Sequence, residues 1–298
     1  PLFPQKKKIT GKEIASNIVS TLTLPRAFMA SADLSAPLRQ GAVLTLPPSQ
    51  WGRAAKSGIR MLQAINTSQY NHLVNELNNH PDAVVGKNSG LFMSTDPKRG
   101  ASLQGREEDF ISKLAAKIPI VKHSEQAYKM YLDSIRLETF RKYKRSIDRD
   151  SRLSPEEKQK AYQAAAEWIN IASGRGSLGK LDAAMPALSA IFFAPRYTAS
   201  RIQLLNPMTY AKNSTTAAGR AVLKQQISDV VQFGSVVAAT LLLAHAAGAG
   251  VGLDPEDPDF LKIKFGNKRY DILAGTQQLM RLFYRVGKDF GAAAAGEK

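Results

Sequence analysis

The chain contains no cysteine and four histidines in 298 residues. The first absence excludes disulfides, thiolate metal sites and a cysteine nucleophile. It also fits a reducing compartment. No two of His72, His80, His123 and His245 stand at i, i+4, as the H-E-x-x-H pair of a zinc helix requires. No G-x-S-x-G nucleophile elbow occurs. The acidic cluster Asp254, Glu256, Asp257 and Asp259 lacks the glycine of an EF-hand loop, so it reads as a connector balancing Lys262, Lys264, Lys268 and Arg269. Glu107, Glu108 and Asp109 stand at an expected helix start, where they suit the macrodipole. No cofactor and no metal is expected, and no reaction is specified.

Acid is also scarce. Lysine and arginine outnumber aspartate and glutamate by 41 to 25, for a formal net charge of +16. A polyanionic partner fits such an excess. Two stretches carry bases and no acid. Between Asp33 and Glu76 lie Arg39, Arg53, Lys56 and Arg60; between Asp182 and Asp229 lie Arg196, Arg201, Lys212, Arg220 and Lys224. Arg196, Arg201, Lys212, Arg220 and Lys224 are the first candidates for phosphate contact, and Arg39 and Arg53 the second. Lys6-Lys7-Lys8 leads into a mixed stretch rather than an apolar one, which does not fit a signal peptide, and Pro1 in place of Met is expected of a processed chain.

The block Gly174-Arg175-Gly176-Ser177-Leu178-Gly179-Lys180 imitates two nucleotide fingerprints. It matches G-x-G-x-x-G and the first seven positions of the P-loop pattern, but Leu181 has no hydroxyl for Mg²⁺. Both motifs need a strand before the glycines. Here the lead-in is Ser154-Pro155-Glu156-Glu157, a capping box with proline at the first helical position, followed by Ala161, Ala165, Trp168 and Ala172 at helical spacing. Gly174, Gly176 and Gly179 are therefore expected to form a tight turn after a helix, letting Arg196 and Arg201 approach it.

The remaining pattern predicts a mainly α protein, a multi-helix assembly with one small β-hairpin near the C-terminus. Helices are expected over Gly11–Ala32 with a break at Pro25, along the stripe from Ile59 to Leu77, over Arg106–Lys117, and from a Ser124 cap through Ile147. Pro37–Trp51 reads as loop and Pro81–Gly105 as irregular. Shorter helices broken by Pro186, Pro195 and Pro207 lead to the longest helical run, Asn213 to about Ala247. A hairpin is expected at about 260–273, turning at Gly266-Asn267, and a last helix carries Leu279, Leu282, Phe283, Val286 and Phe290 on one face before a frayed tail. The division is 1–105, an N-terminal helical segment with a long irregular loop, and 106–298, a helical core, with one continuous domain as the alternative. Val230 to Leu253 has no charged residue and touches the transmembrane threshold, but Gln232, Ser235, Thr240 and His245 interrupt it. A buried central helix with His245 in the core is the expectation.

Four ordered stretches together resemble a known family. They are Ser31 to Gly41, Ser173 to Gly179, Ala194-Pro195-Arg196 with Ala199-Ser200-Arg201, and Leu253-Asp254-Pro255 through Asp259-Phe260 to Lys262-Ile263. The chain resembles, over most of residues 9 to 287, the large polyvalent protein-associated domains of tailed bacteriophages and prophages. The resemblance implies a virion-borne structural protein without a catalytic motif, inside the capsid or at the portal and tail axis. Such a protein is ejected with the genome. Its partners would be phage DNA or portal, tail and capsid proteins, in a homo-oligomeric ring. Its location would be the virion, and the host cytoplasm during assembly and after ejection. Two other readings stay open: a membrane-active ejection factor using 230–253, and an enzyme binding a nucleotide at 174–180.

Overall fold

A computed structural model describes residues 39–97, 119–177, 179 and 195–294. The expected helices at Gly11–Ala32 and Arg106–Lys117, the break at Pro186, the cluster Glu107 to Asp109, and Lys180 and Leu181 lie outside these residues. The described part is mainly α with a small three-stranded antiparallel sheet near the C-terminus. In chain order the helices are α1 (Ala42–Thr45), α2 (Trp51–Gln63), α3 (Thr67–Asn79), α4 (Pro81–Asn88), α5 (Pro119–Arg149) and α6 (Pro155–Ala172). They continue with α7 (Pro195–Leu205), α8 (Met208–Ala211), α9 (Ala217–Ala246) and α10 (Thr276–Ala294).

Local chemistry explains most of the boundaries. Ser154 Oγ accepts the Glu157 N–H at 3.2 Å while the Glu157 carboxylate accepts the Ser154 N–H at 2.8 Å, so two orphan donors of α6 are satisfied reciprocally. Thr216 caps α9 by accepting from Gly219 N. Asn66 accepts from Ser68 N and Gln69 N, which starts α3 anew and splits the expected 59–77 helix in two. Three other readings are corrected. Pro81 sits at the first position of a real helix, capped by His80, so 81–88 is ordered rather than irregular. Ser124 lies inside α5 instead of capping it. The stretch before Trp51 is not open loop: α1 and a 3₁₀ turn at Pro48–Gln50 bring Val43 and Leu44 into the core.

The core surrounds α5, whose residues 131–140 are all buried. α2, α3, α4, α6 and the first half of α9 pack on it. Val43, Leu77 and Met93 share one cluster with Leu132, Phe140, Trp168 and Val222, so a single core spans the 105/106 division. Beyond it, α9 carries the sheet. β2 (Ile263–Phe265) and β3 (Lys268–Tyr270) form the hairpin, with Phe265 opposite Lys268 across the Gly266-Asn267 turn. β1 (Gly250–Val251) adds a third strand, pairing Val251 with Ile263. Leu241, Ala249 and Ile263 make a small satellite core between sheet and helix.

Candidate interaction surface

The glycine block is a packing junction. Arg175 N–H bonds Asn170 O at 2.8 Å and Gly174 N–H bonds Ile171 O at 3.2 Å, the reciprocal pair of a Schellman stop. Gly174 adopts φ +81 to make it. Gly176 serves a different purpose: a Cβ there would lie 2.3 Å from Ser200 N, so only glycine lets the α7 backbone sit so close to the end of α6. The two segments exchange Gly176 N–H to Arg196 O at 3.2 Å and Arg196 Nη1 to Gly176 O at 3.3 Å. Ser177 N–H goes to the Gln203 side chain and Gly179 N–H to Ser177 Oγ, at 3.1 Å each. A phosphate cradle needs backbone N–H groups pointing outward. Those of Gly174, Arg175, Gly176, Ser177 and Gly179 all point to partners within the chain.

The predicted basic residues separate into two groups. Arg196 and Arg201 face inward, 7% and 4% exposed. Arg201 Nη2 donates to Tyr197 Oη at 3.0 Å and to Arg39 O, and its guanidinium stacks 4.6 Å from the Tyr197 ring centroid. Two of the five first candidates for phosphate contact thus hold α7 to the junction and do not present their charge to solvent. Arg53 is half-buried and spends its donors on Gln50 and Ser49; burial lowers its pKa, opposed by the charge of Asp229. Arg39 is exposed. Lys212 is exposed but ion-pairs with Glu167. Arg220 and Lys224, one helical turn apart on α9, are exposed; only a 3.1 Å bond from Arg220 Nη1 to Ser214 O ties them to other described residues.

Two buried polar hubs escaped the sequence reading, because a lone acid carries no local signature of burial. Asp229 is wholly buried and accepts from Gln50 Nε2 at 2.9 Å, Lys142 Nζ at 3.1 Å and Tyr143 Oη at 2.8 Å. Burial, then the Asp229 charge, pushes the Tyr143 phenol well above its ordinary value. Burial also lowers the Lys142 pKa, against the pull of Asp229. The second hub is Asp133, which accepts from Ser94 N at 2.9 Å, Thr95 N at 2.8 Å and Arg136 Nη1 at 3.1 Å. Arg136 in turn reaches Ser173 Oγ at 2.8 Å. These hubs fix helix positions; neither opens to solvent.

Asp229 is where α9 leaves the body. Past it the helix has no charged residue to Ala246, and only 11% of its most apolar 18-residue stretch is buried. Val231, Leu242 and Leu243 are 60%, 69% and 71% exposed. Ile227, Val231, Ser235, Ala238 and Leu242 form one outward stripe, with spacings of three and four. Ser235 and Thr240 return their hydroxyls to Val231 O and Val236 O, at 2.9 and 2.8 Å, so neither hydroxyl needs water. The expectation of a buried central helix is overturned, and His245 is exposed rather than in the core. Val230 and Phe233 are the last residues of α9 packed on the main core, and among the described residues the sheet covers the distal half from one side.

Among the described residues no group of three or more His, Cys, Asp or Glu side chains is placed to hold a metal ion. Comparison of the chain with protein-family models, with curated proteins and with solved structures finds no match.

Proposed function

We propose that this chain is a non-enzymatic, virion-associated protein of the tailed-phage type, an assembly component that works by docking. Its working surface is the distal half of α9. The observation that carries the reading is the uncharged helix standing outside the core with Val231, Leu242 and Leu243 in water. Contiguous apolar surface of this kind marks an interaction site in soluble proteins. The phage context comes from the sequence resemblance. The genome contact is assigned to Arg220 and Lys224, at the base of the same helix, in place of Arg196 and Arg201.

The test is the size of the purified chain by light scattering, alone and as Val231→Glu/Leu242→Glu. The expected result is an oligomer that the double substitution reduces to a folded monomer. A wild-type monomer that also fails to bind portal, tail or capsid proteins would overturn the reading.

The length of the uncharged run supports a second reading, insertion into a membrane on ejection. From Val230 to Ala246 the helix rises about 24 Å, at 1.5 Å per residue, against a hydrocarbon core of about 30 Å. Its hydroxyls are already satisfied by its own backbone. Flotation with liposomes separates the two: wild type floats and Leu242→Glu does not if the arm enters lipid.

A further inference from the structure

Helix α2 carries a second bare apolar stripe, on the body rather than on the arm. Trp51, Ala55, Ile59 and Leu62 follow one another at spacings of four, four and three, which sets them on one face. All four are exposed, and Trp51, Ile59 and Leu62 are each about three-fifths so. The stripe holds no charged residue. The cations of the helix, Arg53, Lys56 and Arg60, lie around its other side and are tied to Gln50, Glu138 and Glu76. Trp51 Nε1 already donates to Leu46 O at 2.9 Å, so the indole needs no partner from solvent. Tryptophan is among the residues most enriched at binding hot spots.

The bare stripe of α9 has the same spacing and the opposite sizes. Backward from the end of that helix, Ala246, Leu242, Ala238 and Ser235 are exposed at spacings of four, four and three. Set antiparallel, the two stripes put small against large at every position. Trp51 meets Ala246 and Ala55 meets Leu242; Ile59 meets Ala238 and Leu62 meets Ser235. The match runs along about 16 Å at 1.5 Å per residue. Facing helices pack when the side chains of one fill the hollows of the other. Two α9 stripes paired about a two-fold axis would instead put Val231 on Leu242 and Ser235 on Ala238, large on large and small on small.

Charge selects the same pair. Each copy of this chain brings a formal +16, so two copies approach best through surfaces without cations. The arm from Val230 to Ala246 carries none, and neither does the α2 stripe. Within one chain the two stripes cannot meet in this register. Gln50, beside Trp51, bonds Asp229 at 2.9 Å, and Ser49 N–H donates to Gln232 Oε1 at 3.2 Å. From Asp229 to Ala246 the helix rises about 25 Å. Trp51 is therefore held at the base of its own arm, an arm's length from the residue that fits it.

We propose, resting on the reading of α9 as a docking arm, that its partner is a second copy of this chain and that the arm lies antiparallel on the α2 face of that copy, with Trp51 seated over Ala246. Arm and face are different surfaces, and each copy offers one of each. Contact from head to tail builds a ring or a row of subunits, and reciprocal contact closes a dimer.

Light scattering on three full-length samples tests the pairing: wild type, a face variant, Ile59→Glu/Leu62→Glu, and the arm variant, Val231→Glu/Leu242→Glu. All four positions are exposed, and circular dichroism checks that each variant stays folded. Wild type is expected to be oligomeric and each variant monomeric. An equimolar mixture of the two variants is expected to recover a two-chain species, since it contains one intact arm and one intact face. The absence of cysteine allows a second readout without added charge. Ile59→Cys and Ala238→Cys chains, mixed and treated with a short bis-maleimide, should cross-link to each other, and neither should cross-link to itself. A face variant as large as wild type overturns the pairing while leaving the arm as the docking surface. Cross-linking of Ala238→Cys to itself does the same, because arm then meets arm. A monomeric wild type, or a variant mixture that stays monomeric when the cysteine pair yields no cross-link, also overturns it.

Discussion

Gly176 and Ser200 meet at a distance that admits no side chain. Gly176→Ala would place a methyl against backbone, which cannot swing aside, and overpacking of this kind costs about 1–3 kcal/mol; urea denaturation measures it. Gly174→Ala is strained for another reason, the left-handed φ of its Schellman stop. Asp229→Ala removes the acceptor for Gln50, Lys142 and Tyr143 together. Orphaned buried donors cost about 1–3 kcal/mol, so this variant loses stability while Asp229→Asn, which keeps one acceptor oxygen, loses less. The tyrosines set the alkaline limit. Tyr143 is raised well above the ordinary value of 10 by burial, then by Asp229, and burial raises Tyr210 to about 12. Above pH 10 the unfolded phenols lose protons that the folded ones keep, so the unfolded state gains. Their contribution is complete below pH 10 and falls as pH climbs through 10 to 12 and beyond. A phenolate absorbance titration should follow the unfolding transition; phenols that ionise near pH 10 in the intact fold would contradict it. Asp150 works at the other end. Hydrogen bonds from the Arg152 side chain and backbone hold it at about 2, so its small share is present above pH 3.8 and lost as pH falls toward 2.

Several helix ends have a chemical reason, and these ends make element-scale predictions. Ser154→Ala breaks a capping box, which costs about 0.5–2 kcal/mol and reads out in the thermal midpoint. Amide exchange should divide α9 at Asp229. Protection is expected to be near-global through the buried Val222, Gln226 and Asp229, and markedly weaker from Ser235 to Ala246, where one side is bare. Equal protection along the whole helix in a verified monomer would mean the arm is covered within the chain. α2 turns part of its basic side toward the body. Its buried residue is Ser57, and Lys56 and Arg60 pair with Glu138 of α5, at 2.7 and 3.8 Å. Trp51, Ile59 and Leu62 are left exposed. A carboxylate on the body thus decides the orientation of an amphipathic helix, because unpaired cations against a core cost more than apolar side chains left in water.

For the molecule as a whole, the positive charge does not form one continuous phosphate-binding face. Part of it is spent on inward partners, Ser173 O, Gly176 O, Glu138 and Asp229. Duplex DNA binding across a salt series tests what remains. Removing Arg220 and Lys224 should lower the slope of log affinity against log salt by about two, near 0.9 for each phosphate no longer neutralised. Arg196→Ala and Arg201→Ala should lower stability instead, with any change in DNA binding following unfolding. A slope that falls with Arg201→Ala in a folded protein would return the phosphate-binding role to α7.

Local order was legible in the sequence because it depends on neighbours within a turn or two. The capping box at Ser154, the stop at Gly174, the turn at Gly266-Asn267 and the mainly helical class all follow from interactions between residues at most five apart. Strand β1 was missed because two residues beside a glycine turn hold no alternation to read; its pairing with β2 supplies the order. Only the tertiary structure decided which faces turn inward. The burial of Arg196 and Arg201 and the packing of α2 depend on partners many residues away, and the bare half of α9 on where the core ends. Those partners are Gly176 O, Arg39 O and the Glu138 carboxylate. A periodic pattern states that a helix has two faces; the long-range interactions that satisfy its charges choose between them.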